Sequence, residues 1–119
     1  MNKIALFLFN SGMLRLKPIR SHYRSILDAI REECNLTKED KPLFREFITK
    51  RKNTSNKFHY FAVFKANDEK YISLNAYGRI GYPARFFLIG NYSDVESAIN
   101  AAKQKIEVKI ANGYKKTTV

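Results

Sequence analysis

Apolar positions along the chain keep a helical spacing in its first part and an alternating one in its second. From Ser21 onward Tyr23, Ile26, Leu27, Ile30 and Cys34 recur every three or four residues, as on one face of a helix, and Ser21 can accept an N-terminal backbone N–H. This predicts a helix over about 22–34. After "NLTKED" the residues predict a second: Asp40 as N-cap, Pro42 in the first turn, and Leu43, Phe44, Phe47 and Ile48 as the buried stripe. Nearer the start, Ile4–Phe9 reads as a buried strand or short core segment. It is short for the apolar region of a signal peptide and no small-residue cleavage site follows, while no stretch approaches the ~20 apolar residues that cross a bilayer.

Residues 50–56 carry no apolar side chain and read as a connector, which places a boundary between an α-rich segment, 1–52, and a second domain, 53–119. Beyond it "KFHYFAVFKA" (57–66) is apolar or aromatic on both faces, and "NDE" makes a turn. "KYISLNAYGRIG" then runs back with Ile72, Leu74 and Ala76 alternating against Tyr71, Ser73, Asn75 and Tyr77, the pattern of a hairpin. "RFFLIGNY" supplies another strand, which Gly90-Asn91 is expected to close with a turn. The last element is a helix: Ser93 and Glu96 form a capping box, and Val95, Ala98, Ile99, Ala102, Ile106 and Ile110 share a face. Asn112-Gly113 ends it, and Lys103, Lys105 and Lys109 lie on its exposed side. The expected fold is α+β, a small antiparallel sheet of three or more strands covered by a C-terminal helix, with the α-rich N-terminal extension packed beside it.

Composition narrows the function. In 119 residues, 45 % of them apolar, there is enough hydrophobic material for one core. Twenty-two Lys and Arg against eleven Asp and Glu leave a net charge of +11, a field that draws in polyanions such as nucleic acid or an acidic protein face. The single cysteine, Cys34, excludes an internal disulfide framework and fits a reducing cytosol; its place on an apolar helix face reads as packing. No CxxC pair or Cys/His cluster is present to hold zinc, and no nucleophile elbow, phosphate-binding glycine loop or HExxH occurs. His22 and His59 read as satisfied or exposed histidines, and Glu32-Glu33 and Glu39-Asp40 as helix-end carboxylates. The chain reads as a binding protein rather than an enzyme, with no cofactor and no metal.

The strand "KFHYFAVF", the triplet in "AYGRIG" (76–81), the helix "SDVESAINAAKQKIEVKI" and its ending "ANGYKK" (111–116) together resemble a WGR domain over about residues 57–116. That module accompanies the catalytic domain of DNA-dependent poly(ADP-ribose) polymerases and occurs alone or in other contexts in bacteria. Tyr77 stands where the family has tryptophan, Gly78 and Arg79 are unchanged, and "YPARFF" replaces a smaller turn containing Gly and Gln. The resemblance implies a grip on double-stranded DNA near an end or nick. Tyr77 would be the stacking surface, Arg79 the phosphate ligand, and Gly78 a sharp turn projecting both, while Tyr114 closes the helix and packs on the sheet. A tyrosine ring offers a face to any base or sugar, and a guanidinium matches phosphate oxygens with paired hydrogen bonds. Arg51, Lys52, Lys57, Arg85, Lys115 and Lys116 are secondary candidates that would neutralise further phosphates.

Three other readings stay open at this level. The two N-terminal helices could pass for a helix-turn-helix, although the second has few polar residues suited to base edges. A small basic regulatory protein of phage or mobile-element type could dock on an acidic face of a larger enzyme, using the Phe-rich segment 85–88 and the N-terminal half. The third is an enzyme with an unrecognised site.

Overall fold

A computed structural model describes residues 14–15, 39–52, 55–67, 69–80 and 85–116. Within them six strands, β1 (Leu14–Arg15), β2 (Phe44–Lys52), β3 (Ser55–Asn67), β4 (Lys70–Arg79), β5 (Arg85–Tyr92) and β6 (Lys115–Lys116), and one helix, α1 (Val95–Ala111), follow one another. The strands form one antiparallel sheet in the order β1-β5-β4-β3-β2-β6. Four long strands carry it and two-residue strands close its edges. The architecture is therefore the expected α+β sheet with a C-terminal helix; the helix expected over 22–34 and the segment 4–9 lie outside the described residues.

The second predicted helix is a strand. Phe44–Lys52 pairs with β3 from Phe44↔Val63 to Lys52↔Ser55, and the Leu43 N–H donates to Val63 O at 2.8 Å. The error has a physical origin. In this strand Phe44 and Ile48 face α1, while Phe47 faces the other way and stacks on Phe58 at 5.8 Å. A strand buried on both faces places apolar residues at i, i+3 and i+4 as readily as a helix does. Leu43, assigned to the buried stripe, is half exposed, and within the supposed connector, 50–56, residues 50–52 end β2 and residues 55–56 begin β3. No α-rich extension is seen among the described residues.

The β3–β4 hairpin follows the alternating pattern. Phe58, Tyr60, Ala62, Phe64, Ile72, Leu74 and Ala76 fill one face without solvent exposure. The other face carries Phe61 and Val63, which with Ile48 form the core under Ala98, Ala102 and Ile106 of α1. Alanines at 98 and 102 let the helix lie close to the sheet, and each buried aliphatic or aromatic side chain contributes about 1.5–3 kcal/mol. Gly90 and Asn91 do not turn the chain; β5 continues through them to Tyr92. A Cβ at Gly90 would fall 2.7 Å from the Tyr92 hydroxyl, so the missing side chain makes room for that ring.

Both ends of α1 are closed by side chains or turn geometry. Its N-cap is Asp94, one residue beyond the expected Ser93: Asp94 Oδ1 accepts from the Ser97 N–H at 2.8 Å, and these bonds hold its carboxyl below the usual range. At the other end Gly113 adopts φ 99°, Gly113 N–H donates to Ile110 O and Tyr114 N–H to Lys109 O, a Schellman turn. Ile110, placed on the apolar face by its spacing, is 39 % exposed and lines a concavity with Phe44 and Ile106.

Candidate nucleic-acid interface

The Schellman turn and the hairpin register together build the site. Cross-strand partners share a face, so Lys50↔Lys57↔Arg79 form one transverse row and Ile48↔His59↔Tyr77↔Arg85 the next, both on the side of α1. From the helix, Lys105 and Lys109 approach the same end of the sheet, one turn apart. Between sheet and helix lies a cleft of about 600 Å³ lined by the sheet residues Lys57, His59, Asn75, Tyr77, Arg79, Phe87 and Ile89 and by Lys105, Lys109 and Tyr114. It holds four cations and no carboxylate. A smaller concavity of about 360 Å³ continues it past Lys57 and Lys109 to Lys50 and Lys52.

The floor of the cleft is neutral. His59 stacks on Phe61 at 5.7 Å and on Tyr77 at 5.3 Å, and meets Tyr114 edge-on at 5.1 Å. Its Nδ1 lies 3.1 Å from Asn75 Oδ1; with the amide so oriented, Nδ1–H donates. Burial lowers the His59 pKa to about 4, the Asn75 hydrogen bond opposing this and the nearby Lys109 charge adding to it. At neutral pH the ring is uncharged. Tyr114 is 8 % exposed, burial raises its hydroxyl pKa, and the Lys50 and Lys109 ammonium groups stand 5.9 and 6.0 Å from its ring centre. Lys50 Nζ also donates to Asn112 O at 2.7 Å, fixing the helix end to β2.

The predicted site residues divide. Tyr77, Gly78, Arg79 and Lys57 line the main cleft, Lys52 lines its extension, and Arg85 stands opposite Tyr77 on the next strand. Arg51 and Lys115 are paired with Asn56 and Thr49, which puts both on the opposite face of the sheet. Lys116 lies on the α1 side, 3.5 Å from Glu46 at the far edge. Gly78 makes no turn: it is an extended β4 residue opposite Phe58, and Tyr77 and Arg79 project together because strand side chains alternate. Tyr77 has His59 stacked on it, and Tyr114 packs on the sheet as expected while also walling the cleft.

His59, Asn75, Lys105 and Lys109 escaped the sequence reading as site residues. The turn alone does not place the first: pairing continued from Asn67↔Lys70 would set His59 opposite Gly78, and the irregularity between Lys65 and Asn67 moves it opposite Tyr77. Phe87 is 44 % exposed but borders the same cleft, so it adds no separate aromatic patch to the described surface. Among the described residues no helix is long and apolar enough to cross a membrane and no cluster of His, Cys, Asp and Glu could hold a metal ion.

The family model of the WGR domain matches residues 44–118, more than half of the chain and beginning at the first residue of β2. Neither a search of curated proteins nor one of solved structures finds a match.

Proposed function

The chain belongs to the WGR domain family, and from that premise we propose that it grips the backbone of double-stranded DNA at ends or nicks through the Tyr77–Arg79 cleft. The WGR domain is a non-catalytic nucleic-acid-binding module. One observation carries the finer reading: four cations from three elements, Lys57, Arg79, Lys105 and Lys109, line one concavity that contains no carboxylate. Like charges so gathered repel one another, and a polyanion that displaces its own counterions onto solvent relieves that repulsion. Tyr77 beside Arg79 offers an aromatic surface to a sugar or base where the duplex is interrupted. Lys50, Lys52 and Arg85 extend the contact along the backbone.

The test is binding of wild type and Arg79→Ala to a labelled duplex carrying a nick or 5′-phosphorylated end, against a closed circle, over a salt series. Wild type is expected to prefer the interrupted duplex, with affinity falling steeply as salt rises, and the variant to lose that preference while staying folded. Equal, weak binding by both would turn the search to an acidic protein partner, which the same cations would serve.

A further inference from the structure

Tyr77 faces the cleft with another ring fixed against it. His59, its cross-strand partner on β3, lies nearly parallel to it, centroids 5.3 Å apart and planes at 15°. Three further contacts hold the imidazole in that place: Phe61 stacks on it at 5.7 Å, Tyr114 meets it edge-on at 5.1 Å, and its Nδ1 lies 3.1 Å from Asn75 Oδ1. His59 is 6 % exposed, so it has no open side into which to swing. Tyr77 itself is half-buried between sheet and helix. A nucleotide that meets the tyrosine must therefore come to the face away from His59, the one toward β5, where Arg85 is the next residue of the row.

This arrangement bears on which DNA the site accepts. Aromatic and apolar side chains that open an intact duplex act as wedges, entering between two base pairs and kinking the helix by about 20–90°. Such a wedge protrudes and presents both of its faces to bases. A half-buried ring with a second ring fixed beside it does neither; it offers one platform, suited to a nucleotide that has already lost a stacking neighbour. We propose that His59 is a specificity-determining residue, which backs Tyr77 as a one-faced platform that caps an exposed nucleotide at an end or nick and is unable to insert into an intact stack. The inference rests on the reading of the cleft as a DNA site and deepens it, from which residues meet an interruption to why an interruption is required.

The experiment uses the full chain and one labelled circular duplex in nicked and closed forms, and reads the ratio of the two affinities in wild type, His59→Ala and His59→Phe. Wild type is expected to favour the nicked form about tenfold. His59→Ala, which leaves Tyr77 without its backing, is expected to bring the ratio close to one while keeping the salt slope, because a neutral ring releases no counterions. His59→Phe supplies a flat ring again and is expected to restore the preference. A general loss of structure would move both affinities together and leave their ratio. A second measurement uses wild type alone, independent of how the variants fold: an intact linear duplex with donor and acceptor dyes at its ends is expected to keep its energy transfer when bound. An unchanged ratio in folded His59→Ala, a ratio near one in folded His59→Phe, or kinking of the intact duplex by wild type would overturn the role of His59 and leave the preference for interruptions standing. A wild-type ratio near one would overturn both.

Discussion

The two large clefts that α1 forms with the sheet are nearly equal in volume, about 600 Å³ at Tyr77 and about 570 Å³ at Phe44, yet they differ in charge. The first holds Lys57, Arg79, Lys105 and Lys109 with no carboxylate. The second sets Glu46 and Glu107 against Lys103 and Lys116, and Lys116 lies 3.5 Å from Glu46. In one, cations compensate carboxylates of the protein; in the other they have no carboxylate among the lining residues. Size does not separate these concavities, and a net charge of +11 does not say where cations gather in a lining that holds no carboxylate. Cross-strand register and helix phase decide that.

Four predictions break or sharpen the contrast. Arg79→Glu with Lys109→Glu gives the first cleft the balanced charge of the second, and DNA affinity at physiological salt should fall about a thousandfold. The matching pair in the second cleft, Lys103→Glu with Lys116→Glu, should cost much less, and comparable losses in fluorescence anisotropy would erase the distinction. Next in size is the neutral floor. Because His59 has a folded pKa of about 4, below its unfolded value, the unfolded chain binds the proton first as pH falls. The stability it contributes is fully present above about pH 6.5 and is lost between there and pH 4, roughly 3 kcal/mol in all. Urea unfolding across that window should show a decline that His59→Phe flattens. Lys109→Ala should weaken DNA binding about fivefold and lower the salt slope by about one; it should also raise the His59 pKa, read by NMR titration, because the Lys109 charge is one of the causes that lower it. The smallest effect is remote from both clefts: Asp94→Ala removes the N-cap and should cost about 1 kcal/mol in thermal unfolding, with DNA affinity unchanged.

How the site came to be half legible follows from which forces are local. The triplet Tyr77-Gly78-Arg79 was visible because its order relative to Asn112-Gly113-Tyr114 is a property of the chain. Its mechanics were not, since a glycine between two candidate residues suggests a turn until pairing with Phe58 shows an extended strand. Lys105 and Lys109 read as a solvated helix face, which is correct for α1 taken alone. Only their placement beside Lys57 and Arg79 makes them part of a cleft. Arg51 and Lys115 stand apart from the cleft for the converse reason: strand alternation and register put them on the other face.

What the sequence determined by itself is whatever local chemistry dictates. It includes the β3–β4 hairpin, from alternation on either side of a polar turn; the body of α1, from one apolar face, and its end, from a glycine at φ 99°; and the surplus of positive charge. Tertiary structure decided the rest. Phe44–Lys52 is a strand because β3 was available to pair with it and both faces could be buried, a long-range fact absent from the spacing of its apolar residues. His59 is a neutral floor because Phe61, Tyr77, Asn75 and Tyr114, drawn from three separate stretches of chain, exclude water from one imidazole. Desolvation is a property of the assembled surroundings, and no single segment carries it.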